Sequence, residues 1–278
     1  DITKSVTIMS ATAAMPVVQC KALSVKNTTD IDLIRLENIH WDADAANTGT
    51  YLFDIQSSIA GNIGSIEIVG CKITNLYNSV VRASRTAAFG PKNIKIDNCQ
   101  MYNMNCKESF IGYTSGATSY SVESISVSNT TITNVGWDTI ETRMFSLVGS
   151  DNMVFKLENN TITINSTAKN GTIHYRANST GSTTGGKAEI KNNIIYIINN
   201  NPSGRYAKNC NFGSANPDIA NNCLPTPFIE KLDPLTYDQW SNYGTVTADP
   251  KFANMAADDY TVGEYQLVTK SIGDPRWF

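Results

Sequence analysis

At 278 residues with a net charge of −3, the chain is long enough to bury a sizeable core and too weakly charged to be built for nucleic acid or an anionic membrane surface. Asn (30), Thr (29) and Ile (28) abound while good helix formers are scarce, which points to an all-β chain. No apolar run reaches the ~20 residues of a spanning helix, and the six cysteines show neither CxxC pairs nor scaffold density, which argues against a metal motif or a disulfide framework.

Asp1 leads within a few residues into a strand-like Val6-Thr7-Ile8-Met9, with no basic, apolar, small-residue order of a secretion signal. The chain is therefore expected to start downstream of a removed signal or another domain. From residue 36 a unit recurs that reads apolar, any, Asn or Gly, two variable, apolar. Its instances are Leu36-Glu37-Asn38-Ile39-His40-Trp41, Ile68-Val69-Gly70-Cys71-Lys72-Ile73, Ile96-Asp97-Asn98-Cys99-Gln100-Met101 and Val127-Ser128-Asn129-Thr130-Thr131-Ile132. Leu157-Glu158-Asn159-Asn160-Thr161-Ile162, Ile190-Lys191-Asn192-Asn193-Ile194-Ile195 and Ile219-Ala220-Asn221-Asn222-Cys223-Leu224 continue it. The third positions (38, 70, 98, 129, 159, 192, 221) are 32, 28, 31, 30, 33 and 29 residues apart, a period with small insertions.

Asn and Gly are the residues that most readily accept a left-handed backbone, so the third position predicts a tight bend with positive φ in every coil. Before it, pairs such as Ile66 and Ile68, Ile94 and Ile96, and Phe155 and Leu157 alternate with polar residues, giving strands with one buried face. A second apolar column runs through Phe53 and Ile55, Val81 and Ala83, Ile111 and Tyr113, Phe145 and Leu147, and Ile173 and Tyr175. Strands at constant spacing with no helical pattern between them predict a right-handed parallel β-helix of about seven coils of about 30 residues over 1–224. A sandwich or barrel of this length gives no reason for one bend residue to recur at thirty. The aperiodic segment 225–278, rich in Tyr, Trp and Pro, is expected to be an irregular cap packed on the helix.

The position after the bend (Ile39, Cys71, Cys99, Thr130, Asn160, Asn193, Asn222) predicts an internal ladder. Its asparagines would pass amide hydrogen bonds between coils, and Cys71 and Cys99 would lie one above the other as free thiols. Alternation sends Asp54, Arg82 and His174 outward in one column and Arg176 in the next. With Arg85 and Arg143 nearby, that face is more basic than the chain as a whole, which suits an acidic sugar; the competing reading is a solvated surface. Trp137 and Trp41 offer flat platforms for sugar rings or filling for the interior. Asp42-Ala43-Asp44 and Asp258-Asp259 are acidic pairs open to calcium, without the spaced ligands of a recognised loop, and no cofactor is expected.

With these coils, the bend motif and the closing Ala248-Asp249-Pro250-Lys251-Phe252 to Gly273-Asp274-Pro275-Arg276-Trp277 segment, the chain resembles the pectate-lyase-like β-helix proteins of bacterial polysaccharide-utilisation systems, many of them surface lipoproteins. The resemblance implies a monomeric protein, extracellular or on the outer cell surface, that meets an acidic polysaccharide along one strand face. Three readings follow: binding without cleavage, lyase or hydrolase action, and a structural or adhesin solenoid. For a lyase, His174 would be the base and Arg82 and Arg176 the cations that hold the carboxylate, with Asp54, Arg85, Arg143 and Trp137 binding substrate. A hydrolase would need facing carboxylates, for which Asp54, Asp138 and Glu141 are the candidates.

Overall fold

A computed structural model describes residues 1–43, 51–55, 61–83, 91–106, 109–113, 122–135, 144–146, 149–165, 187–199, 218–225 and 245–278. Three parallel sheets wrap one interior. The first has eight strands, from Val6–Met9 through Ile31–Glu37, Ile63–Val69, Asn93–Asp97, Val122–Ser128, Gly149–Glu158 and Lys187–Lys191 to Asp218–Ala220. The second runs across seven strands from Val17–Gln19 to Ile194–Asn199, and the third across five from Leu23–Val25 to Phe145–Ser146. Each strand pairs with its equivalent about one coil away, as in Ile66↔Ile94↔Ile125↔Phe155. The chain is a parallel β-helix.

The period finds seven coils where the first sheet has eight strands. Val6–Met9 pairs below Ile34–Glu37, but in the turn that follows it the Ser10 hydroxyl shares its one proton between the carbonyls of Thr12 and Ala14. Lacking the Asn bend, this first coil carries no motif to count. Above the last motif the ladder continues past residue 224, where Cys223 bridges in parallel to both Ile194 and Val246.

All seven bend residues have positive φ, from 50° at Asn129 to 61° at Gly70. A β-branched side chain clashes with its own backbone there. Asn129→Val is expected to cost roughly 1 to 3 kcal/mol, and Asn129→Gly far less, in paired denaturant titrations; equal midpoints for the two would refute the strain argument. A second left-handed column, Asn75 (φ 60°), Asn103 (57°) and Asn134 (56°), closes the far end of the second-sheet strands. There the Asn103 amide donates to Asn75 Oδ1 and the Asn134 amide to Asn103 Oδ1, at 3.2 and 2.9 Å.

The interior is built from the predicted columns. Ile34, Leu36, Ile66, Ile68, Ile125, Val127, Phe53, Val81, Ile111 and Phe145 are completely buried. The side chains of Tyr113, Leu147, Ile173 and Tyr175 lie outside the described set. At the bends, Asn160 Nδ2 donates to Asn193 Oδ1 and Asn193 Nδ2 to Asn222 Oδ1, each at 2.9 Å, and each amide also reaches a strand carbonyl of the coil below. The internal ladder is real, and it passes from Ile39 through thiols and Thr130 to amides.

Cys71 and Cys99 are buried free thiols on adjacent rungs, opposed by the pairing of Lys72 with Gln100. Burial pushes both thiols above their ordinary range. Thiol titration of the native protein should therefore show Cys20, which is exposed, reacting fast, and Cys71, Cys99 and Cys106 only as fast as the fold opens. Rapid labelling of Cys99 in native buffer would contradict this.

The segment 252–278 is more ordered than an irregular cap and lies along the outer face of the second sheet, spanning several coils. It holds an antiparallel pair, Phe252–Asn254 with Asp259–Val262, and a short helix, Tyr265–Thr269. Asp274 accepts from Thr131 Oγ1 at 2.7 Å and its backbone N–H donates to Thr161 Oγ1, while Trp277 Nε1 donates to Thr131 Oγ1 at 2.6 Å. The Arg276 guanidinium reaches the carbonyls of Asn98 and Cys99 and Asn98 Oδ1. Tyr260 packs edge-on against Trp277 and Phe252 and stacks on Tyr102. The outward threonines of the upper coils, Thr131, Thr133, Thr161 and Thr163, are buried beneath this arm.

Candidate functional site

On the outer face of the first sheet, charges are placed by register so that neighbours oppose. Arg35 binds Glu67 at 2.6 Å and Glu37 at 2.9 Å, Lys156 binds Glu158, Lys187 binds Glu189, and Lys191 binds Asp218. Exposed pairs of this kind add little individually, but they leave this face electrically quiet.

The third sheet differs. Its strands Tyr51–Ile55, Ser79–Ala83 and Ile111–Tyr113 stack in register, so Asp54 faces Arg82 and Arg82 faces Gly112. Arg82 Nε donates to Asp54 Oδ1 at 2.9 Å, its Nη1 donates to the Tyr51 hydroxyl at 3.1 Å, and the guanidinium lies 4.3 Å from the Tyr51 ring centre. Burial works against the charge, but Asp54 and Tyr51 outweigh it and hold the guanidinium above its ordinary range. Arg82 is thus a braced, neutralised centre rather than a free cation, with its side chain 27% exposed and that of Asp54 13% exposed.

Of the residues expected to form the site, the structure brings together Asp54 and Arg82. His174, Arg176, Arg85, Arg143 and Trp137 lie outside the described residues, as do Asp138 and Glu141. Trp41, weighed as platform or filling, is filling: it is 2% exposed in the core. Sequence reasoning missed Tyr51. Alternation puts it in the inward set with Phe53 and Ile55, yet it stands at the start of its strand and turns its ring to a cation one coil above. An aromatic residue 31 positions before an outward Arg, one period away, was the available signal.

The acidic pairs are engaged otherwise. Asp42 accepts hydrogen bonds from Thr74, Asn75 and Gln19, and Asp259 accepts from the Thr261 backbone, while Asp44 lies outside the described residues. Among the described residues no group of His, Cys, Asp or Glu is arranged to hold a metal ion. No helix among them is long and apolar enough to cross a membrane.

The stacked parallel sheets and their Asn ladders define the class: a parallel β-helix protein. Residues 155–277, under half of the chain, match a family model described as a domain of unknown function, DUF5123. The match takes in the upper coils and the arm that covers them. No curated protein and no solved structure matches the chain.

Proposed function

We propose that this is a polysaccharide-binding protein of the pectate-lyase-like kind that works outside the cell or on its outer surface, holding an acidic glycan across successive coils of the third sheet. The observation that carries this reading is the Asp54–Arg82–Tyr51 centre. Three polar or aromatic side chains from two coils fix one another in place, so little side-chain entropy is lost when a ligand settles on them. Gly112 on the next rung presents no side chain beside Arg82, and any larger residue would meet Ser109 Oγ at 2.4 Å. The result is a rigid centre whose remaining guanidinium N–H groups are suited to sugar hydroxyls or to a carboxylate. Surface location and the lipoprotein form of the resembling proteins are part of the same proposal.

Since Arg82 is paired, removing it alone leaves the largely buried Asp54 carboxylate short of a partner. Arg82→Ala is expected to lower stability by roughly 1 to 2 kcal/mol, and Asp54→Ala/Arg82→Ala by less. The double variant is therefore the one to test on a panel of uronic-acid polymers by calorimetry. Affinity should fall at least tenfold relative to wild type, and unsaturated ends should not accumulate in wild-type incubations. Undiminished binding by the double variant would overturn the assignment, and steady growth of unsaturated-end absorbance would turn the reading from binder to lyase.

A further inference from the structure

Among the described residues the arm covers the upper coils of the second sheet down to Tyr102, on which Tyr260 stacks, while His40 and Lys72 on the coils below are partly exposed. The outward columns of this sheet run Val17, His40, Lys72, Gln100 and Gln19, Asp42, Thr74, Tyr102, each rung one strand spacing from the next. On the first sheet the lysines sit beside carboxylates. Here Lys72 has no ion-pair partner among the described residues, and its ammonium lies 5.6 Å from the Tyr102 ring centre. Its neighbour His40 is held by a relay: Nε2 lies 3.0 Å from Thr74 Oγ1, and that hydroxyl donates to Asp42 Oδ1 at 3.0 Å. A hydroxyl has one proton, so Thr74 accepts from His40, and the imidazole carries its proton on Nε2. Nδ1 has no hydrogen-bond partner among the described residues.

We propose that His40 and Lys72 together bind the carboxylate of an acidic saccharide on the lower coils of the second sheet, a contact that rests on the polysaccharide reading above. Protonation of His40 adds a donor at Nδ1 on the rung next to that of Lys72. Burial and then Lys72 hold the imidazole below its ordinary protonation range, against a smaller opposing pull from Asp42. An anion placed across both nitrogens removes that repulsion and draws in the proton. Asp42, occupied by Thr74, Asn75 and Gln19, steadies the imidazolium from the far side through Thr74. Asp258 of the arm faces Lys72 without closing an ion pair with it. The second strand, Val17–Gln19, brings no titratable group to His40.

The sign of the linkage follows. A ligand that raises the His40 midpoint binds best to the protonated form, so its affinity is highest at low pH and declines as pH rises through the window between the free and the bound midpoint. The test is proton NMR of the His40 imidazole against pH, with the resonance assigned by His174→Gln. It is run with tetragalacturonate, and with inorganic phosphate at the same concentration as comparator. Tetragalacturonate should raise the midpoint in wild type and in Asp54→Ala/Arg82→Ala, with affinity declining about tenfold across the window. In Lys72→Ala the ligand-induced rise should vanish. If tetragalacturonate binds wild type without moving the midpoint, or Lys72→Ala responds as wild type does, the His40–Lys72 site is wrong while the third-sheet reading stands. If phosphate moves the midpoint as far, the pair is an unselective anion site and the saccharide assignment fails. If no uronate polymer binds wild type at all, the polysaccharide reading itself fails and this one with it.

Discussion

Asn193→Ala is expected to destabilise the protein by about 3 to 5 kcal/mol, more than any other single change considered. Asn193 is completely buried, and its side chain makes four hydrogen bonds. Nδ2 donates to the Leu157 carbonyl and to Asn222 Oδ1, and Oδ1 accepts from the backbone and side-chain N–H groups of Asn160. Truncation leaves the Asn160 backbone N–H with no acceptor and the Leu157 carbonyl without this donor, in a place water does not reach. Each such orphan costs roughly 1 to 3 kcal/mol, and a small cavity adds to it. The adjacent Asn192 supplies the control, since it holds a positive φ of 55° and Asn192→Gly keeps that conformation. Denaturant midpoints of the two variants should differ widely, and a loss below about 1 kcal/mol for Asn193→Ala would remove the internal ladder from the account of stability.

Asp274→Ala is expected to cost about 3 kcal/mol and to free the C-terminal arm. The carboxylate is 1% exposed and joins three partners: Thr131 Oγ1, the Arg276 backbone N–H, and the Arg276 guanidinium at 2.5 Å. Its loss leaves a cation half-buried against the Asn98 and Cys99 carbonyls and takes away the acceptor of the Thr131 hydroxyl to which Trp277 Nε1 donates. Limited trypsin digestion reads the result directly, because Lys251, just before the arm, and Lys270 within it are exposed and should be cut much faster in the variant. An unchanged digestion pattern together with an unchanged melting temperature would show that the arm is held mainly by its aromatic contacts.

The features legible in the sequence are those that one residue demands locally. A bend at Asn129 or Gly70 needs a positive φ, and few residues tolerate it, so the requirement is written at one position and repeats with the coil. The Asn160–Asn193–Asn222 ladder and the stacked thiols follow from the same register. The second bend column was missed because it is seen at only three positions, Asn75, Asn103 and Asn134, too few to stand out among 30 asparagines. At the site, alternation places Arg82 on the outer face but says nothing of which partner holds it. Tyr51 and Asp54 are contributed by the coil below, and pairing across coils depends on register that alternation alone does not fix. His40 escaped notice for a related reason, since its relay joins two coils through a hydroxyl that carries no pattern of its own.

The arm also orders events in time. Ladder contacts join residues about one coil apart, such as Asn160 with Asn193, 33 positions on, whereas the arm joins Asp274 to Thr131 across 143 positions and Arg276 to Asn98 across 178. Closing so large a loop in an unstructured chain costs roughly 1.5 kcal/mol more than closing one coil, so coils nucleate and propagate along the stack first. The arm docks on a surface that exists only once several rungs are in place. Contacts made after the rate-limiting step barely affect how fast a protein folds and instead set how slowly it unfolds. Asp274, Trp277 and Arg276 are thus a late-closing latch whose removal should speed unfolding while leaving the folding rate nearly untouched, so the arm sets the kinetic lifetime of the native state.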